Sequence, residues 1–435
     1  MDPLFIGAVS ILAILVLILF GIPIAYTLGC LAILGMSLLL GPERAIGQLA
    51  SAGYNMTSQY MFAVVPLFVT IGVLASVAEM TSPVFNSARL WLARLKGGLA
   101  MATCAASGVF AACSGSTVAN AAIFTPIALP EMLKYGYDKK LSAGVIAASG
   151  TFAAMIPPSV TMVIYGIITG EPIGKLLIAG VVPGIITVVI YMVSIYVRVL
   201  IHPHIAPTPD LTVTWGEKFR SLKGSWGIMF IFLSLLVGIY AGWFAPSAAG
   251  AIGGFAALIL VAVKKKLTWR NLRSASLNVL TVQSSLFIII IGGSLFSRYW
   301  VMSGVVTAVS DFVTGLPIPP ILVIVIFLCS FFVLGCIMDP PSMMIVTLPL
   351  LYPIVIKMGY SGIWFGILMV KMTEIAVVTP PVGFNCFVVQ SASDGKVGLN
   401  DVFGGILPFL VMDIVTLAIL VAFPQITLWL PNTMD

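Results

Sequence analysis

Charge is scarce in this sequence. Of 435 residues only 8% are Asp, Glu, Lys or Arg, against roughly 25% in soluble domains. No stretch is polar enough to form a separate soluble domain, which excludes soluble enzymes, secreted domains and a nucleic-acid partner. Histidine is nearly absent. Both histidines, His202 and His204, fall in one polar loop, where they read as solvated residues and not as metal ligands or proton relays. The cysteines (Cys30, Cys104, Cys113, Cys329, Cys336, Cys386) lie in apolar segments without paired spacing, so neither a disulfide framework nor a zinc site is expected. A basic n-region and a small-residue cleavage site are also missing. The chain runs from Met1-Asp2-Pro3 straight into an apolar segment that reads as a retained first helix.

What is present is apolar: 60% of residues are hydrophobic and the mean hydropathy is +1.14. Runs such as Ile11 to Phe20, Ile228 to Ile239 and Ile414 to Phe423 are nearly continuous, not alternating, so the class is an all-α membrane bundle and not a barrel. At about 20 residues per crossing, the chain has room for ten or so spans. The net charge of +6 is the basic excess that cytoplasmic loops carry for topological reasons. Sixteen of the 21 basic residues cluster at 89 to 96, 134 to 140, 198, 218 to 223, 264 to 273 and 396. Placing these clusters in the cytoplasm predicts spans near 4 to 22, 24 to 41, 57 to 78, 141 to 169, 175 to 197, 226 to 244, 247 to 263, 278 to 297, 361 to 395 and 404 to 423, with both termini outside. Only Arg44, Lys175, Arg298 and Lys357 are then outside, and Lys371 is left within a span. Segments 199 to 225 and 264 to 277 become cytoplasmic, with Trp215 and Trp269 on helices suited to the interface.

Two apolar segments do not fit as ordinary spans. Residues 97 to 133 have basic clusters on both flanks and are marginal for two full helices, so they read as a re-entrant hairpin centred on Ser114-Gly115-Ser116. Residues 318 to 356 form the second such segment, centred on Gly335 to Ser342. The two belong to an internal repeat. At an offset of 223, Pro126, Pro130, Lys134, Gly136-Tyr137, Ala153 and Pro157-Pro158 match Pro349, Pro353, Lys357, Gly359-Tyr360, Ala376 and Pro380-Pro381. Ile71-Gly72 pairs with Ile291-Gly292, and Pro183 with Pro408, at slightly shifted offsets. Five crossings per copy make the second copy inverted. The expected division is therefore 1 to 198, a cytoplasmic amphipathic connector at 199 to 225, and 226 to 435. Inverted repeats with paired broken segments are the mark of a secondary transporter whose site lies at mid-membrane.

Four breaks could carry its chemistry: Ser114-Gly115-Ser116, Ile156-Pro157-Pro158-Ser159, Asp339-Pro340-Pro341-Ser342 and Thr379-Pro380-Pro381-Val382. Proline removes an amide donor and frees carbonyls, and irregular backbone at this depth is tolerated only where it is buried or lines a cavity. Freed carbonyls with Ser and Thr hydroxyls make an all-oxygen site for a hard cation such as Na⁺. Half-helices restarting at Thr117, Ser159, Ser342 and Val382 would point positive ends inward, toward an anionic substrate.

These strings, together with Gly21-Ile22-Pro23-Ile24-Ala25 and Gly383-Phe384-Asn385, resemble the large membrane subunit of tripartite ATP-independent periplasmic (TRAP) transporters over the whole chain. The resemblance implies an elevator-type Na⁺ symporter similar in fold to divalent anion/sodium symporters, in the bacterial inner membrane. It would import a small organic anion of the carboxylate or sulfonate class, with no enzymatic activity and no cofactor beyond two or more coupling Na⁺ ions. Its implied partners are a small four-helix membrane subunit, a soluble periplasmic binding protein and membrane lipid. Carried over by residue, one Na⁺ site would use Ser114, Gly115, Ser116, Gly150, Ala153 and Pro157, and its mate Gly335, Asp339, Thr373, Val377 and Thr379. Substrate would contact Ser116, Thr117, Asn120, Ser159, Ser342 and Asn385.

Three acids fall within spans: Asp339, Glu374 and Asp413. Such acids are functional by default, but Glu374 lies three residues after Lys371, which allows a helical ion pair, and Asp339 is the other candidate partner of that lysine. An intramembrane protease would need a paired catalytic acid or a Ser-His dyad, and a passive channel would not need four symmetric breaks. A proton-coupled organic-anion transporter or ion antiporter of the same superfamily, working without a binding protein, is the alternative.

Overall fold

The computed structural model describes residues 2–208, 213–335 and 337–434, so Cys336 and residues 209–212 of the expected connector lie outside the described residues. Among the described residues, eight helices are long and apolar enough to cross a membrane. Seven coincide with expected spans: Tyr60–Val77, Lys139–Thr169, Ile173–Ile201, Trp215–Tyr240, Pro246–Val263, Trp269–Met302 and Leu399–Ala422. The eighth, Pro340–Lys357, is the second limb of the later hairpin. The first two expected spans are the 17-residue helices Pro3–Leu19 and Ile24–Leu40.

Trp215 and Trp269 do not start separate interfacial helices. Each opens a continuous helix that runs on into the apolar segment behind it. The cause is local. The Thr214 hydroxyl accepts from the Glu217 N–H while the Glu217 carboxylate takes the Thr214 N–H, and the Thr268 hydroxyl accepts from the Asn271 N–H. After these starts no proline stops either helix. A further helix, Pro42–Thr57, fills the interval between the expected spans 24 to 41 and 57 to 78.

Both hairpins form. In the first, Gly98–Ser114 and Thr117–Lys134 are joined by Gly115 at φ +60°, and Ser116 caps the second limb by accepting from the Ala119 N–H at 3.3 Å. The limbs of 17 and 18 residues are each about 26 Å long. The second hairpin pairs Pro320–Gly335 with Pro340–Lys357.

Both expected helix breaks form as well. Lys139–Gly150 and the turn Phe152–Met155 end before extended Ile156, and the chain restarts at Val160. Gly362–Val378 ends at extended Thr379, and the chain restarts at Phe384. The Pro157-Pro158 and Pro380-Pro381 bonds are both cis.

Packing crosses over between the halves. Val160–Thr169, the restarted part of the first broken helix, packs on Pro340–Lys357 of the second hairpin, and Phe384–Ala392 packs on Thr117–Lys134 of the first. Outside this unit, Ile24–Leu40 pairs with Trp269–Met302, and Val64–Val77 pairs with Pro246–Val263.

The tightest crossing joins Lys139–Gly150 to Leu399–Ala422. There a Cβ on Gly144 would lie 2.3 Å from the Gly405 carbonyl carbon, and one on Gly405 would lie 1.9 Å from the Lys140 carbonyl oxygen. Backbone cannot give way as a side-chain tip can. Gly405→Val should therefore cost at or above the roughly 1–3 kcal/mol of ordinary overpacking. The check is folded yield and melting temperature in detergent, and a wild-type melt would mean that the helices simply separate.

Candidate functional site

The tip of the first hairpin lies against the first break. A Cβ on Gly115 would be 3.1 Å from the Pro158 carbonyl oxygen. On the other side, a Cβ on Gly72 would be 2.7 Å from the Ser114 carbonyl oxygen, so two glycines hold the tip between a flanking helix and the break. At Gly150 three segments converge: a Cβ there would meet Ala121 Cβ at 3.0 Å, Asn385 Nδ2 at 3.1 Å and the Thr117 carbonyl oxygen at 3.2 Å. Ser114, Gly115, Thr117, Asn120, Gly150 and Asn385 are thus brought together from both halves of the chain. Ala153 and Pro157 are buried in the break beside them, and Ser116 is exposed at the tip.

Hydrogen bonding singles out part of this set. Asn120 donates to the Ser107 carbonyl at 3.4 Å and Asn385 to the Ala147 carbonyl at 3.3 Å. Among the described residues, the Oδ1 atoms of both and the Ser114 hydroxyl are buried without a hydrogen-bond partner. Leaving a buried polar atom unpaired costs about 1–3 kcal/mol, and three such atoms on adjoining segments make this the candidate ligand site. Carbonyl-type oxygens take a cation or a hydrogen-bond donor, not an anionic oxygen. Ser159 is different, because its hydroxyl is used within the fold, donating to the Ala154 carbonyl and accepting from the Met162 N–H.

The second hairpin meets the second break through Gly335, where a Cβ would lie 2.3 Å from Ala376 Cβ. Thr373 is buried and donates to the Val370 carbonyl at 2.7 Å, Thr379 donates to the Ile375 carbonyl at 2.6 Å, and Val377 is buried between them. Among the described residues, neither hydroxyl accepts a hydrogen bond. Asp339 precedes the second limb and accepts from the Ser342 hydroxyl. Both residues line an open cavity of about 490 Å³ together with Gly21, Pro23, Ala25 and Phe384. The early Gly21 to Ala25 motif is thereby placed at the second hairpin.

The four restarts are not equivalent. Those of the second hairpin and second break fall at Pro340 and Phe384, not at Ser342 and Val382. Pro340 and Pro341 remove two amide donors from the start of their helix, and Asp339 adds a carboxylate there, so this end suits a cation. Phe384–Ala392 starts behind Gly383 with no side-chain cap, the Cys386 and Phe387 N–H groups going to the Gly383 carbonyl, and it packs against the limb that starts at Thr117.

The intramembrane acids are arranged differently from one of the two expectations. Lys371 Nζ donates to Glu374 at 2.8 Å and to Asp413 at 2.7 Å, so the helical pair with Glu374 forms, while Asp339 is not its partner. Tyr191 donates to the other Asp413 oxygen at 2.7 Å. Lys371, Glu374 and Asp413 are 0% exposed. The sequence carried one usable signal for Asp413: a lysine inside a span demands buried counter-charge, and few acids are available.

The chain matches the family model described as "Tripartite ATP-independent periplasmic transporter, DctM component" over residues 11–426. It is 30% identical over 402 residues to the C4-dicarboxylate TRAP transporter large permease of Pseudomonas aeruginosa, covering 91% of this chain and 92% of that one. It is likewise 30% identical to the ectoine TRAP transporter large permease of Halomonas elongata, covering 95% and 96%. The sialic acid TRAP transporter permease of Haemophilus influenzae is 28% identical over 98% of this chain and 68% of its own. In fold the chain is similar to the crystal structure of the Alcanivorax borkumensis YdaH transporter, with a TM-score of 0.64, 12% identity and 98% of each chain covered. This multi-pass membrane protein belongs to the DctM family, the large permease component of tripartite ATP-independent periplasmic transporters.

Proposed function

We propose that the protein imports a small organic anion, of the carboxylate or sulfonate class, across the bacterial inner membrane by Na⁺-coupled secondary transport. The observation that carries this reading is the cluster of unpartnered buried oxygens on Ser114, Asn120 and Asn385 where hairpin, break and restarted helix converge. Na⁺ would bind at the first tip through Ser114, Gly115 and Ser116 with carbonyls of Gly150, Ala153 and Pro157. A second Na⁺ would bind through Gly335, Asp339, Thr373, Val377 and Thr379. The anion would lie between the helix starts at Thr117 and Phe384, where two positive dipole ends meet. Bound Na⁺ would neutralise the anion, which ties substrate binding to the ion. Ser116, Asn120 and Asn385 are the side chains for the substrate's polar groups, with Ser159 and Ser342 at the edge of its site.

The exchanged packing of the two halves supports an inverted repeat of 1 to 198 and 226 to 435 with re-entrant hairpins, and the clustering of basic residues supports both termini periplasmic. Hairpins, broken helices, Val181–Ile201 and Leu399–Ala422 would move as one unit against the cross-paired helices outside it, an elevator motion. Substrate would arrive on a periplasmic binding protein, and a small membrane subunit would extend the static part. The relatives named for C4-dicarboxylate, ectoine and sialic acid support a small organic solute as cargo.

Two measurements test this. In proteoliposomes holding both membrane subunits and supplied with the binding protein, an inward Na⁺ gradient should drive uptake and a proton gradient alone should not. Uptake on the proton gradient alone would select the proton-coupled alternative. Single-cysteine labelling should reach position 139 only from the cytoplasmic side, and periplasmic labelling there would overturn the inverted repeat.

A further inference from the structure

On the outer face, three helices enclose an open apolar groove of about 580 Å³, lined by Leu67 and Leu74, by Phe255 and Leu258, and by Ser276 and Leu280. These residues belong to Val64–Val77, Pro246–Val263 and Trp269–Met302. From Leu272 to Leu280 the lining extends about 12 Å at 1.5 Å per residue. That is the shape of one extended hydrocarbon chain. The lining stops at Leu258 and Leu272, on either side of the turn joining the second and third of these helices, and that turn and the helix start after it are strongly basic: Lys264, Lys265, Lys266, Arg270 and Arg273 lie within ten positions.

Charge at that end is largely uncompensated. Lys266 pairs with Glu79. Lys264, Lys265, Arg270 and Arg273 are exposed, and among the described residues none of them has an acidic partner. Arg273 follows the lining residue Leu272 and stands three and seven residues before Ser276 and Leu280, so on a helix it lies on the side that carries them, at the basic end of the groove. The first turn of Trp269–Met302 has no acidic residue, so the partial positive charge of that helix end adds to the arginines.

We infer that this groove is a binding site for an anionic phospholipid. One acyl chain lies along the apolar lining, the glycerol oxygens reach the Ser276 hydroxyl, and the phosphate sits among Arg273, Arg270 and Lys264. The charge pattern favours lipid over a protein helix, because a helix crossing this face would bring no phosphate to a cation cluster facing the headgroup layer. The site lies on the helices proposed to stay fixed, apart from the ion and substrate residues, and does not depend on their assignment.

The test uses the purified full chain in nanodiscs of phosphatidylcholine with a minor fraction of phosphatidylglycerol, reading tightly retained lipid by native mass spectrometry. Wild type should retain phosphatidylglycerol preferentially. Lys264→Gln with Arg273→Gln should weaken that retention roughly tenfold or more, since two basic contacts to the headgroup are lost, and should leave phosphatidylcholine retention unchanged. Gly254→Leu should fill the groove and remove retention of either lipid. A Cβ at Gly254 meets only Thr70 Cγ2, at 3.8 Å, so the fold should tolerate it. The exposed pair of Gln substitutions keeps the test informative even if the groove-filling variant unfolds. Equal phosphatidylglycerol retention in wild type and the Gln pair overturns the proposal. So does loss of the retained lipid when the small membrane subunit is co-expressed, which would make the groove a protein interface.

Discussion

Lys371→Met should leave little folded protein in the membrane. The lysine joins Gly362–Val378 to Leu399–Ala422 through Asp413 and to Val181–Ile201 through Thr187 and, by way of Asp413, Tyr191. Removing it strands Glu374 and Asp413 at zero exposure, with the Glu374 Oε1 atom already lacking a partner. Breaking one buried pair costs about 3–5 kcal/mol, and here one substitution breaks two. That approaches the whole stability of a typical domain, about 5–15 kcal/mol. Neutralising the acids with the lysine, as Lys371→Met/Glu374→Gln/Asp413→Asn, should recover most of the loss, because replacing the whole charged set leaves no bare charge. Size-exclusion profiles and thermal melts of the single and triple variants are the readout. A single variant that melts within a few degrees of wild type would mean that the cluster is solvated and carries no structural weight.

How far the sequence reached can be judged on this cluster and on the breaks. Pro157-Pro158 and Pro380-Pro381 were legible because proline acts locally: it cannot donate and it stops a helix wherever it falls. Ser114-Gly115-Ser116 was legible for the same reason, as a left-handed glycine followed by a capping hydroxyl. Asp413 was not, because its partner lies 42 residues away on another helix and no spacing rule connects them. The glycine contacts between Gly144 and Gly405 were hidden in the same way, since a glycine in an apolar run reads alike whether it faces lipid or a backbone. Continuity of Trp215–Tyr240 and Trp269–Met302 was missed because hydropathy reports where a helix enters an apolar phase, not where it starts. The caps at Thr214 and Thr268 decide that. At the second hairpin, the resemblance singled out both Asp339 and the Gly21 to Ala25 motif, but only the fold places them on one cavity.

Asp339→Asn should weaken apparent Na⁺ affinity roughly 10- to 100-fold, the equivalent of about 1.5–3 kcal/mol for one contact to a charged group. The amide keeps the carboxylate's shape and can still accept from the Ser342 hydroxyl, so the second hairpin should fold as before. What it loses is formal charge, at a helix start where Pro340 and Pro341 leave no amide donors to hold an anion and where a cation is the natural counterpart. Lys371 cannot be that counterpart, since its donors are taken by Glu374, Asp413 and Thr187. The effect should therefore fall on the ion. Substrate affinity measured at saturating Na⁺ should change little, because the helix starts proposed to hold the anion, at Thr117 and Phe384, are untouched. Thr379→Val provides the matching variant on the other side of the same site. It removes a hydroxyl whose proton goes to the Ile375 carbonyl and which, among the described residues, accepts no hydrogen bond, and it should give a smaller shift of the same kind. If Asp339→Asn keeps wild-type Na⁺ dependence and instead raises the substrate requirement, the carboxylate orients cargo and the second ion site lies elsewhere.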